Sequence, residues 1–219
     1  MIPRAALVLR PEPGAAATLA RLAAAGIRAT AVPLFRIAPV AWSRPAGTFD
    51  ALLLTSANAL RHGGDALDAV RDLPVVAVGA ATARAAGDAG FAVVATGMSD
   101  AAGAIAAAAA WPRLLHLAGR ERVAMRGVTA VTVYAADPLA LPDGALAAAV
   151  DGVVLLHSPR AAARFAALSQ GLPRDRIRIA ALSDAVARAA GTGWARIAVA
   201  PHPDDAALAA VAASLAIDP

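Results

Sequence analysis

The chain has 219 residues, 59% of them hydrophobic but only 4% aromatic, and a formal net charge of +4. It contains no cysteine, and all 20 of its basic residues are arginine. Disulfides, thiolate catalysis, cysteine-based zinc sites, Schiff-base chemistry and the phosphate-binding lysine of a P-loop are thereby excluded.

The length suffices for one large domain or two small ones. The arginines are spread along the chain without a basic run or interleaved aromatics. No nucleic-acid partner is therefore expected, and a small anionic molecule is the better guess.

Short runs rich in Val, Ile and Leu alternate with Ala-rich helical stretches along the chain. The first residues, MIPRAALVLRPEPG, hold a strand from Ala6 that Arg10 and Pro11 end. That run lacks the longer apolar core of a signal peptide, so a cytoplasmic location is expected. Strands are predicted next at RATAVPLF from Arg28, ALLLTS from Ala51, PVVAVG from Pro74 and FAVVA from Phe91. The run GAIAAAAAW from Gly103 is too short to span a bilayer, and no membrane partner is expected. Further strands are predicted at RLLHLAG from Arg113, AVTVYA from Ala130, GVVLLHS from Gly152, RIRIAALS from Arg176 and ARIAVAP from Ala195. Most are continuous apolar runs without alternation, the pattern of a parallel sheet covered by helices on both faces. Interleaved with helices, they predict an α/β architecture.

An internal repeat is superposed on this pattern. One copy reads FDALLLTSANAL and then PVVAVGAATARAAGDAGFAVVATG; the other reads VDGVVLLHSPRAAARF and then IRIAALSDAVARAAGTGWARIAVAP. Each leads into an Ala-rich helix headed by acid, Asp100 in one and Asp204 with Asp205 in the other. Such acids suit the positive end of a helix dipole. Residues 1–36 are left over as a lone βαβ unit, and residues 113–135 supply another after the first copy. The simplest closure adds residues 1–36 to the sheet of the second copy. Two similar α/β domains follow, 1–36 with 137–219 and 37–136, with crossings marked by Pro39 and Pro138.

Ligands of open parallel sheets bind beyond the carboxyl ends of strands, beside helix N-termini whose free N–H groups attract anions. The residues at those ends are Arg10, Thr55, Ser56, Asn58, Gly79, Thr82, Gly119, Arg120, Ser158, Arg160, Ser183 and Asp184. Ser56 and Ser158 stand where strand becomes helix in both copies. They read either as N-caps or as hydroxyls presented to a ligand between the domains. Tyr134, the single tyrosine, ends a strand at a crossing. Its hydroxyl either faces a cleft or is bonded to backbone. No G-x-G-x-x-G or G-x-S-x-G spacing is present. His62, His116, His157 and His202 are scattered, read as structural or surface residues, and predict no metal site. Asp50 and Asp151 precede strands and read as capping or turn residues.

The order and spacing of LLLTSANAL, VAVGAATARAAGDAGF, LLHLAGRER, VTVYAADP, VVLLHSPRAAARF and ARIAVAPHPDDAALAAV resemble the uroporphyrinogen-III synthase family over nearly the whole chain. The resemblance implies two similar flavodoxin-like α/β domains with parallel sheets, joined by a two-stranded connector, with the first strands in the C-terminal domain. It implies a lyase of porphyrin biosynthesis that cyclises hydroxymethylbilane to uroporphyrinogen III, with inversion of ring D, loss of water and no cofactor. By the same resemblance, Tyr134 assists departure of the hydroxyl. Ser56, Thr82 and Ser158 match cleft-facing positions, and Gly119 matches the glycine of the family's turn after the LLHLA-type strand. The second repeat departs from the family's pattern at LSDAVA, where no threonine stands and Ser183 is the remaining hydroxyl. A monomer is expected, in transient contact with hydroxymethylbilane synthase. Two other readings are weighed: a non-catalytic anion-binding protein of periplasmic type, which shares paired α/β domains and a hinge, and a flavodoxin-like binder of nucleotides or phosphosugars. The first lacks an export signal and the second lacks a phosphate-loop spacing.

Overall fold

The computed structural model describes residues 2–97 and 108–217. Asp100 and most of the GAIAAAAAW run lie outside these residues.

Eleven strands are present among the described residues. They are β1 (Ala6–Val8), β2 (Ala29–Ala31), β3 (Phe35–Pro39), β4 (Ala51–Leu54), β5 (Val75–Val78) and β6 (Val93–Gly97), followed by β7 (Leu114–Gly119), β8 (Val128–Pro138), β9 (Val153–Leu156), β10 (Arg178–Ala181) and β11 (Arg196–Val199). The helices are α1 (Gly14–Ala24), α2 (Asn58–His62), α3 (Ala80–Asp88), α4 (Pro159–Leu168), α5 (Asp184–Ala190) and α6 (Asp205–Ile217). The chain forms two compact units, Met1–Arg36 with Pro138–Pro219, and Ile37–Asp137.

In the first unit the strand order is β11-β10-β9-β1-β2, with every neighbouring pair parallel. The opening residues thus add two strands to the sheet of the last three. Strand β9 is VVLL, and all four side chains are buried. Val153 and Leu155 face a core with Ala15 and Leu22 of α1 and Leu208, Ala212 and Leu215 of α6. On α4, Phe165 is fully buried and stacks on Trp194 at 5.3 Å between centroids. Two faces both covered by helices leave no room for a polar alternation in the strand.

The second unit holds a sheet of order β3-β8-β7-β4-β5-β6, parallel from β8 through β6. Strand β4 is ALLL and fully buried. Leu52 and Leu54 face one core with Val133 and Phe91, while Ala51 and Leu53 face another with Val76 and Leu114. The two sheets repeat one register. Leu52 sits between Leu115 and Val75, as Val154 sits between Leu7 and Ile179.

Two local expectations are corrected. The run from Arg28 is not one strand but two, β2 and β3; Pro33, which has no N–H to give a ladder, lies in the break. Residues 113–135 are not a βαβ unit: β7 and β8 are parallel neighbours joined by Arg120–Gly127 without a helix. That link, RERVAMRG, carries three arginines and no apolar stripe for a helix to bury.

At the amino ends of the strands, the two acids that open the repeats act as ties. Asp50 takes bonds from the backbone N–H and the guanidinium of Arg113. Asp151 pairs with Arg176. Both lie away from the carboxyl ends where a ligand site is expected.

Candidate functional site

The carboxyl ends of the strands carry the candidate residues, and each unit has its own set.

In the second unit, β4 runs into Thr55 and Ser56. The Ser56 hydroxyl accepts the Asn58 N–H at 3.2 Å, closing a tight turn that starts α2. Asn58 accepts from Arg61 at 3.2 Å. Thr55 Oγ1 lies 3.0 Å from Nε2 of His116 on β7. Thr82, in the first turn of α3, is 6% exposed. Gly119 ends β7 opposite Tyr134 on β8, where the register slips by one residue. A Cβ at Gly119 would stand 3.0 Å from Cε2 and Cζ of Tyr134, so a larger residue there would push the ring from its place. The Tyr134 carbonyl accepts the Arg120 N–H at 2.9 Å. The Arg120 side chain pairs with Asp137 at 2.9 Å. At the end of α2, the His62 ring lies 6.4 Å from that of Tyr134. The turn of Ser56 and Asn58, through α2, and the Gly119–Tyr134 pair therefore lie together at the carboxyl end of the sheet.

In the first unit, Ser158 caps α4 by accepting the Ala161 N–H at 3.2 Å, with Pro159 in the first turn. Ser183 caps α5 by accepting the Val186 N–H at 3.4 Å. Both hydroxyls thus satisfy first-turn amides that the helix itself leaves open. Arg160 stacks over the Phe35 ring at 4.5 Å, and Arg164, one turn later, lies over the same ring at 5.6 Å.

Arg10 is held by Asp205 at 3.1 Å. A Cβ at Gly14 would overlap the Arg10 guanidinium, so the glycine leaves room for that reach. Asp205 also accepts from Thr18 at 2.6 Å, from Arg21 at 3.0 Å and from His157 Nε2 at 2.9 Å. Burial pushes its carboxyl up, but the bonds from His157 and Thr18 and the Arg10 charge outweigh this and hold it well below the ordinary range. Burial pushes His157 below the ordinary histidine value, against the pull of Asp205. The neighbouring Asp204 caps α6 instead, accepting the Ala207 N–H at 2.8 Å.

Three features carry no local signal in the sequence. The Asp205 cluster draws on β1, α1, β9 and α6. His116 is 2% exposed, and burial with the Arg122 charge pushes its pKa down to about 4. His116 and Arg122 also line a recess of about 260 Å³ beneath the link from β7 to β8. Among the described residues no three His, Cys, Asp or Glu side chains are grouped to hold a metal ion. No helix among them is long and apolar enough to cross a membrane.

Comparison with known proteins adds the following. The family model described as "Uroporphyrinogen-III synthase HemD" matches residues 16–210. No curated protein matches the sequence. A crystal structure of uroporphyrinogen-III synthetase from Helicobacter pylori superposes with a TM-score of 0.69 at 16% identity, covering 97% of this chain and 99% of that one. A mutant uroporphyrinogen III synthase from the extremely thermophilic bacterium Thermus thermophilus gives 0.56 at 16% identity, covering 96% and 98%. At such identities the likeness is one of fold.

Proposed function

Because the chain belongs to the uroporphyrinogen-III synthase family, we propose that it cyclises hydroxymethylbilane to uroporphyrinogen III, a lyase reaction of tetrapyrrole biosynthesis. The family match over residues 16–210 carries this reading. The arrangement of Tyr134 against Gly119 supports it, since the glycine leaves room for the phenol at a strand end.

In this reaction the terminal hydroxyl of the linear tetrapyrrole leaves with a proton, as water. The cation that remains attacks the substituted carbon of the last ring. The resulting spiro intermediate opens and recloses with ring D reversed. On this reading Tyr134 donates the proton to the departing hydroxyl and recovers one from the ring D carbon that closes the macrocycle. Its ordinary pKa near 10 makes it a weak acid, so the larger share of catalysis lies in geometry. A flexible polycarboxylate must be held with its two ends together, and fixing that conformation removes an entropic barrier. The unassisted bilane closes without inversion, so the protein must favour the transition state leading to the spiro compound over direct closure.

The proposed contacts to the substrate are Ser56 and Asn58 in the turn after β4, Thr55 before them, Thr82 in α3, and Gly119 with Arg120 after β7. From the other unit they are Arg10, Ser158, Arg160 and Ser183. Helix N-termini beside these residues suit carboxylates. In the same proposal β3 and β8 are the two-stranded connector of the domains. Work as a monomer in the cytoplasm, with hand-over from hydroxymethylbilane synthase, belongs to the same proposal. The family match does not favour the non-catalytic binding protein.

The test supplies hydroxymethylbilane from its synthase with and without this protein, then oxidises and separates the products. Isomer III dominating only when the protein is present is the expected result. Equal amounts of isomer I in both samples would sink the assignment.

A further inference from the structure

We propose that His116 is a positioning residue, holding the Thr55 hydroxyl from behind so that its proton points at a substrate carboxylate. This rests on the reading above, in which the turn after β4 contacts the tetrapyrrole.

Strand β7 is LLHLAG, buried throughout, and His116 is its single polar side chain. It shares its face of the sheet with Leu114, which packs with Leu53, Met125 and Val128. Burying an imidazole lowers stability unless its nitrogens are bonded. Here Nε2 is bonded to Thr55, while Nδ1 has no partner among the described residues. A leucine at this place would bury apolar surface without that penalty. Packing therefore does not account for the histidine, and what it supplies is the bond to Thr55.

That bond acts on one specific group. Thr55 is the first residue beyond β4, half-buried, and the next hydroxyl closes the turn onto Asn58. A free threonine hydroxyl rotates to suit its neighbours. When Nε2–H donates to Thr55 Oγ1, the hydroxyl proton is left to be donated outward. An ionised carboxylate only accepts, so this is the tautomer that serves a polycarboxylate. The other sheet anchors its matching position too. His157 follows β9 as Thr55 follows β4, and it is fixed by Asp205 at 2.9 Å.

The experiment measures steady-state formation of isomer III for wild type, His116→Leu, His116→Gln, Thr55→Val and the Leu–Val double variant, with circular dichroism to confirm folding. His116→Leu is expected to raise KM roughly two- to tenfold, the worth of one neutral hydrogen bond, with kcat within about twofold of wild type. Thr55→Val should do the same, and the double variant should be no worse than either single one. His116→Gln, whose amide donates to Thr55, should recover part of the loss. A wild-type KM in His116→Leu, or full additivity with Thr55→Val, overturns the inference. If His116→Leu does not fold, nitrogen NMR of the wild-type ring decides: Nε2–H supports the proposal, and a bare Nε2 overturns it. Wild-type protein that makes no isomer III removes the functional reading itself, and this inference with it. Wild-type protein that makes isomer III while the variants match it removes this inference alone.

Discussion

Acidification should destabilise this protein through His116 before its carboxylates titrate. An unfolded histidine has a pKa near 6.5, whereas burial and the Arg122 charge bring His116 to about 4 in the fold. Between those values the unfolded chain binds a proton that the folded chain refuses. Stability therefore falls as pH falls through that window and levels off below about 4. The whole gap corresponds to about 3 kcal/mol, and a step from about pH 7 to about pH 4.5 samples about 2 kcal/mol of it. His62 and His157 are also lowered by burial and act in the same direction. The informative quantity is thus the difference between wild type and His116→Leu. Urea unfolding of both proteins at the two pH values supplies it. The wild type is expected to lose about 2 kcal/mol more than the variant on acidification. Equal losses would refute the claim that burial keeps this imidazole neutral.

Other expectations follow from single contacts. Gly119→Ala places a Cβ 3.0 Å from two Tyr134 ring carbons; overpacking of this kind costs about 1–3 kcal/mol, and kcat for isomer III should fall with it. Asp205→Asn takes the anionic acceptor from Arg10, Arg21 and His157 and should cost about 2–3 kcal/mol in urea unfolding. Ser158→Ala and Ser183→Ala should each cost about 1 kcal/mol as lost helix caps. A rise in KM well beyond that would show that the hydroxyls also meet the substrate. Tyr134→Phe should retain measurable activity; complete loss with an intact circular dichroism spectrum would argue against catalysis by conformation.

The parallel α/β character was legible because it is written in contiguous residues. ALLL and VVLL are apolar without interruption, and both strands are buried on both faces. Caps are local in the same way, so Ser158 stood out at the boundary between strand and helix, three residues from the amide it serves; Ser56, read alike, instead bonds the Asn58 N–H two residues on, and Ala57 takes the cap position of α2. The link from β7 to β8 was misread because parallel neighbours usually need a helical crossover. Here the eight residues RERVAMRG suffice without a helix. The Asp205 cluster was not legible. Arg10 and Asp205 are 195 positions apart, and nothing near either residue signals the other. His116 read only as one of four scattered structural or surface histidines, since its partner Thr55 lies 61 positions earlier. What the sequence hides is pairing at a distance: local pattern names the element, while side-chain partners depend on how the sheet orders its strands.

That ordering has a consequence for synthesis. Strand β1 is laid between β2 and β9, yet β9 does not begin until Val153. On a ribosome adding about 5–20 residues per second, β1 and β2 wait on the order of ten seconds for their neighbour. During that interval Ala6, Leu7 and Val8 lack the wall that later covers them, while Ile37–Asp137 emerges as one uninterrupted stretch able to close its own sheet. In the nascent polypeptide this strand thus stays open to a holding chaperone until β9 has been made.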